Sequence, residues 1–252
     1  YWLGDMFRGD WGESWTVASG RPVLQLIWER LPATLLLTVT AAIVSLVLGL
    51  IIGIVSAIKQ YSILDTFSTI FSFVGISIPT FWFGLMMIVV FAVQLDWLPA
   101  GGMTEYGKEG DIVSRIKHLI MPVTVLSLIN IAGWSRYIRA SLLNVLQQDY
   151  LRTARAKGLP YRQVITGHAL RNALIPLVTL IGLDIPTLFG GAIVTETIFA
   201  WPGMGRLYFQ SLQSSDYPLA QGLLFVTAVL VVLSNLLADI GYSIVDPRVR
   251  LG

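Results

Sequence analysis

ATLLLTVTAAIVSLVLGLIIGIVSAI, Ala33 to Ile58, runs for twenty-six residues without a charge. A helical crossing of a bilayer core needs about 20 predominantly apolar residues, so this stretch is expected to span a membrane. Pro32, just before it, suits a first helical turn. Composition agrees: the 252 residues are 55% hydrophobic and 13% charged, whereas soluble domains are about a quarter charged. With no cysteine, neither a disulfide framework nor a thiolate metal site is possible. His118 and His168 lie too far apart in sequence to suggest a zinc site. A net charge of +2 is too small to point to nucleic acid.

Working outward, four more stretches can cross. Thr66 to Leu95 is uncharged but holds Pro79, where a kink or break is expected. A third begins near Leu119 and runs past Arg136 and Arg139, so its end projects toward water. The fourth, Ala173 to Val194, contains Asp184, Pro186 and the pair Gly190-Gly191; the fifth is Pro218 to Ala238. The expectation is an all-α, polytopic helical membrane protein with five spans, because lipid requires backbone groups to be paired within each segment. Residues 1–31 form a segment outside the membrane and residues 32–252 the membrane domain.

Lys and Arg set the orientation. With residues 1–31 outside, the inner segments hold ten cations, among them Arg152, Arg155, Lys157, Arg162 and Arg171, against three acids, Asp65, Asp149 and Asp246. The outer segments hold seven cations and ten acids. The N-terminus is therefore expected outside and the C-terminus inside. YWLGDMFRGDWGES, at the start, is neither a signal peptide nor a span, so the chain is expected to begin partway through a longer protein.

The densest basic stretch is RTARAKGLPYRQ, Arg152 to Gln163. Asp149 to Lys157 suits a short helix ended by Gly158 in a left-handed cap, and Pro160 suits the first turn of a second helix toward Asn172. Tyr161, Ile165 and Ala169 then share one face. Ala154, Ala156 and Gly158 are small enough for another protein to approach the backbone. A loop lying on anionic lipid is the plainer reading; two short helices with small residues at their turn favour a docking element.

DYLRTARAKGLPYRQVITGHALRNALIP, Asp149 to Pro176, resembles the cytoplasmic signature of permease subunits of bacterial ABC importers, in the dipeptide, oligopeptide and nickel branch. GDWGES, ERLPATL, SIPTFWFGL, WLPAGG, ETIFAWPGMGRL, DYPLAQG and VDPRVR extend the resemblance along most of the chain. Where the general importer motif has Glu-Ala-Ala before its glycine, this chain has Arg152, Thr153 and Ala154 before Gly158. The resemblance implies that residues 149–172 are coupling helices seated in a separate ATPase subunit, with Asp149, Tyr150, Arg152, Thr153, Ala154, Arg155, Ala156, Lys157, Gly158, Arg162, His168 and Arg171 at the contact. It also implies a bacterial inner-membrane location and an additional first helix that this sequence lacks. The implied partners are a homologous second permease, two ATPases that bind ATP and Mg, a soluble binding protein and membrane lipid. The chain itself would carry no cofactor and no enzymatic activity. Peptides, glutathione-like molecules, haem and nickel chelates are all cargoes of this branch.

GMTEYGKE, Gly102 to Glu109, has the glycine and lysine spacing of a P-loop. Glu109 stands where Ser or Thr is needed, and no buried strand precedes it. Asp184, expensive in mid-span at roughly 2.5–3.5 kcal/mol, has two readings. It lines the pathway or an inner gate, or it caps a helix broken near Pro186 or pairs with another helix. As an ion or proton site it would instead suit a secondary transporter or channel. Asn130 suits an interhelical hydrogen bond better than a substrate contact. Glu196 and Trp201, with Pro202 and Gly203, form a tight outer loop with aromatic anchors: an interfacial loop or, by the resemblance, an outer gate. His168 has no acidic partner nearby and reads as packing or hydrogen bonding. Asp239, Asp246 and Arg248 suit a salt bridge at the inner end of the last span.

Overall fold

The computed structural model describes residues 2–108 and 110–245. Regular structure among them is helical, apart from an isolated antiparallel bridge between Glu13 and Pro22. Helix α1 is Trp2–Phe7, α2 Val23–Ile58 and α3 Ile63–Ser77. Then come α4 Thr80–Met87, continued by a π-helical turn Ile88–Gln94, and α5 Ile112–Leu146. Helix α6 is Asp149–Ala156, and α7, Tyr161–Gln163, runs through a π-helical stretch Val164–Ala169 into α8, Leu170–Ile198. The last two are α9 Met204–Gln213 and α10 Tyr217–Val245.

Pro79 ends α3 as expected. Proline has no N–H to continue the helix and forces its predecessor out of the helical region. Ile78 is accordingly extended, at φ −83° and ψ 125°, and the chain turns by 104° before resuming at Thr80. Ser62 caps the other end of α3 by accepting the Asp65 N–H. Pro32 behaves differently from the expectation, for α2 begins nine residues earlier, at Val23, and takes Pro32 into its interior. Val23, Leu26 and Ile27 explain the extension, since all three are buried against Met204, Leu207, Leu219 and Leu223. Burying such side chains, at about 1.5–3 kcal/mol each, outweighs the roughly 3 kcal/mol of an interior proline. Two hydroxyls of the apolar helix are satisfied locally: Thr38 donates to the Thr34 carbonyl at 2.8 Å and Thr40 to that of Leu36 at 2.6 Å.

Among the described residues, three helices, or four if the bent pair α3–α4 is one span, are long and apolar enough to cross a membrane. The expected crossing at 173–194 falls in α8, where many side chains, those of Pro186, Gly190 and Gly191 included, lie outside the described residues. Glu109, the Asp239 side chain, Asp246 and Arg248 also lie outside them. Val39, Ile43, Val47 and Ile51 recur every fourth residue of α2 and are exposed, as a face turned to hydrocarbon requires.

The chain divides into two compact units. The first comprises residues 1–41, 79–126 and 186–233. Its core is the Val23–Leu223 cluster together with Met121, Val125 and Phe199, which pack on Phe83, Met87 and Leu98. The second comprises residues 42–78, 127–185 and 234 onward. There, Trp134, Ile138 and Leu177 pack on Leu46 and Leu50, and Ala57, Leu142, Leu151, Val164, Ala169 and Ala173 form another cluster.

Candidate functional site

In the second unit, α6 and α7 form an elbow whose shape follows from four residues. Gly158 ends α6 at φ +82°, a left-handed conformation that glycine adopts without strain. Its N–H reaches the Arg155 carbonyl at 2.9 Å. Pro160 then caps the next helical turn, and Leu151, the buried residue of α6, anchors the elbow from below. Asn172 donates to the Tyr150 hydroxyl at 2.8 Å, tying α6 to the start of α8. The second helix is not a separate rod as expected, because it continues without interruption into α8.

The charge is all on the outside. Asp149, Tyr150, Arg152, Thr153, Arg155, Ala156, Lys157, Gly158, Arg162, His168 and Arg171 are exposed. Ala154 is half-buried and packs on the cluster beneath, so it is less open to a partner than its neighbours. Of the expected shared face, Ile165 and Ala169 are buried, whereas Tyr161 stands in solvent with the Arg155 guanidinium 5.6 Å from its ring centroid. Arg152 meets Asp149 at 3.4 Å, but the two side chains are 74% and 94% exposed, so the pair adds little stability.

The carboxylate groups are handled quite differently. Asp184 accepts the indole N–H of Trp134 at 2.7 Å. Trp134 is 1% exposed, and a buried indole N–H needs an acceptor. This favours the helix-pairing reading of Asp184. Asn130, in α5, is half-buried. Asp65 is a further buried carboxylate, unforeseen from its neighbours in sequence. Arg139 grips it through two nitrogens, Nε to Oδ1 at 2.6 Å and Nη2 to Oδ2 at 2.8 Å. Ser56 and the Tyr61 N–H complete its shell at 2.5 and 2.9 Å. An arginine inside a candidate span demands a counter-ion, and that was the available signal.

In the first unit, the Glu196–Arg206 loop folds inward. Glu196 and Trp201 are both fully buried, so Trp201 is not the exposed interfacial anchor expected; its N–H instead donates to the Ala33 carbonyl at 2.9 Å. Helix α9 has no side-chain cap of its own at Gly203. Glu196 supplies one from a distance, accepting the Arg206 N–H at 3.0 Å and the Thr34 hydroxyl at 2.7 Å. Thr34 in turn accepts the Met204 N–H at 2.8 Å. Gly203 is required here, since a Cβ would overlap the Glu196 carboxylate. Asp216 makes a second such centre, also unforeseen. One of its oxygens accepts the Ser14 hydroxyl at 2.5 Å and the N–H groups of Trp15, Thr16 and Val17 at 3.1 Å each. Burial alone would raise its pKa, but these four donors outweigh that and hold it at about 2.

Residues 49–251 match the model of the family described as "Binding-protein-dependent transport system inner membrane component". The chain belongs to that family. This inner-membrane component is 48% identical over 249 residues to the "Oligopeptide transport system permease protein AppB" of Bacillus subtilis (strain 168), covering 99% of this chain and 78% of the relative. It is 39% identical over 271 residues to the "Dipeptide transport system permease protein DppB" of Escherichia coli (strain K12), covering 99% and 79%. Among solved structures, an inward-facing form of the MetNI methionine ABC transporter superposes with a TM-score of 0.69 at 19% identity, covering 88% of this chain and 97% of that one. At that identity the likeness speaks for the fold.

The residues named between 149 and 171 are exposed, apart from half-buried Ala154. Asp184 and Asn130 belong to the second unit. Glu196 and Trp201 belong to the first, where they share one buried loop.

Proposed function

We propose that this chain is the membrane-spanning subunit of an ATP-driven importer of short peptides. It passes cargo from a soluble binding protein to the cytoplasm by alternating access, beside a homologous second permease. The observation that carries the reading is the elbow: a core-anchored helical turn that leaves its cations exposed. The names of the oligopeptide and dipeptide relatives supply the cargo class. Residues 149–172 seat in one of two cytoplasmic ATPases, and the second permease engages the other. Nucleotide-driven closure pulls on α6, and Leu151 and the cluster around it pass that motion to α5 and α8. ATP and magnesium belong to the ATPase subunits, and no residue of this chain takes part in a bond-breaking step. The termini lie as the charge count orients them, residues 1–31 outside and the C-terminus in the cytoplasm of a bacterial cell.

Asp184 is in this reading a strut for Trp134, not an ion site, and Glu196 and Trp201 stiffen an outer loop. Reconstitution in vesicles tests the reading. Peptide uptake should need the ATPase subunits and hydrolysable ATP; uptake driven by an ion gradient without those subunits would overturn it.

A further inference from the structure

Helix α5 carries a polar face that its own unit leaves uncovered. Asn130, Gly133, Tyr137, Ala140 and Asn144 recur at intervals of three and four and so lie along one side of the helix. Tyr137, Ala140 and Asn144 are exposed, Asn130 and Gly133 half-buried, in a helix apolar enough to cross a bilayer. Two open cavities follow that side. One, of about 570 Å³, is lined by Phe73, Gly133, Arg136, Tyr137 and Ala140 among others. The next, of about 310 Å³, shares Tyr137 and Ala140 and continues to Asn144 and Gln148. The exposed side of α2, by contrast, carries Val39, Ile43, Val47 and Ile51. Hydrocarbon suits that face and does not suit this one.

Arg136 stands in the larger cavity with its guanidinium 5.0 Å from the Phe73 ring centroid. Its neighbour Arg139 has Asp65, yet among the described residues no carboxylate lies within ion-pair distance of Arg136. Of two cations less than a turn apart, Arg139 holds the anion, and Arg136 lines the cavity without one among the described residues.

We propose that Arg136 is a transient anchor for the terminal carboxylate of a short peptide moving along this face of α5. The inference rests on the peptide-importer reading above. A guanidinium matches a carboxylate with two parallel hydrogen bonds. Every linear peptide has that carboxylate whatever its side chains, so the anchor is blind to sequence. An open cavity keeps the contact weak enough to release the cargo, as conduction through any site requires.

The chain has no cysteine, so a single Ala140→Cys in the assembled transporter reports on the cavity, with labelling of this chain read by mass in vesicles. Relative to each reagent's rate with a free thiol, an anionic methanethiosulfonate should react about tenfold faster than a cationic one, since the Arg136 field concentrates anions. Dialanine should slow labelling several-fold while its C-terminal amide does not, and adding Arg136→Gln should erase both preferences. Equal rates for the two reagents, protection by the amide, protection that survives Arg136→Gln, or no labelling at all would overturn the proposal. Slowing by phosphatidylglycerol in the vesicles but not by dialanine would assign Arg136 to lipid headgroups and overturn it too. ATP-driven dialanine uptake by unsubstituted vesicles separates the two levels. No uptake strikes the importer reading, whereas uptake without protection strikes the anchor alone.

Discussion

The loop around Glu196 and the elbow around Arg152 treat charge in opposite ways. In the loop, a carboxylate is taken fully out of water, and Thr34 and a backbone N–H of α9 are arranged to receive it. In the elbow, Arg152, Arg155, Lys157, Arg162 and Arg171 stay in water, and what is buried is Leu151 with its apolar neighbours. A desolvated charge is costly unless its hydrogen bonds are met, so the loop gains a single defined shape. Solvated charges contribute little to folding. Five of them, carried on a support anchored by Leu151, are what the proposed docking role would use.

The contrast can be broken in order of expected effect. Glu196→Ala strands the Arg206 N–H and the Thr34 hydroxyl and uncaps α9. Two unmet donors and a lost cap should cost about 4 kcal/mol, seen as a large drop in unfolding temperature in detergent. Gly203→Ala should approach that loss, because the added Cβ takes the carboxylate's space; wild-type melting of either variant would refute the remote cap. Next comes Arg139→Gln, which leaves Asp65 buried without its cation. About 3 kcal/mol is expected, the low end for a broken buried pair, since the Arg139 side chain is 28% exposed. Asp65→Asn should restore part of it in the double variant, and purely additive losses would deny the coupling.

Asp216 gives a smaller, pH-dependent term. Its pKa falls from 3.8 to about 2 on folding. The unfolded chain therefore binds the proton more readily, and the stabilisation is complete above 3.8 and fades as pH drops toward 2. Asp216→Asn should flatten the stability profile in that window; an unchanged acid profile would place the acid sensitivity elsewhere. Smallest of all, reversing Arg152 and Arg155 should leave the unfolding temperature where it is. A substantial drop would mean that the elbow's cations hold the fold after all.

What was legible in the sequence was local. Pro79 stops a helix through its own missing N–H, and Gly158 with Pro160 shapes the elbow within a few residues, so both could be read in place. The membrane class followed from the uncharged run after Pro32. What escaped depends on partners far along the chain. Nothing near Trp201 announces the Ala33 carbonyl 168 residues away, and nothing near Asp216 announces Ser14. Pro32 looked like a helix start because its neighbours alone were considered; burial of Val23, Leu26 and Ile27 against α9 and α10 carried the helix past it. For Asp184 the alternatives divided on tertiary contact, and the indole of Trp134 weighed in.

The most direct test of the docking role is the Arg152→Glu, Arg155→Glu double variant in the complete transporter. ATP-driven peptide uptake and co-purification of the ATPase subunits would be measured on one preparation. Docking through the elbow predicts a folded permease that loses its ATPases, or keeps them and no longer transports. Unchanged uptake with the ATPases still bound would contradict it.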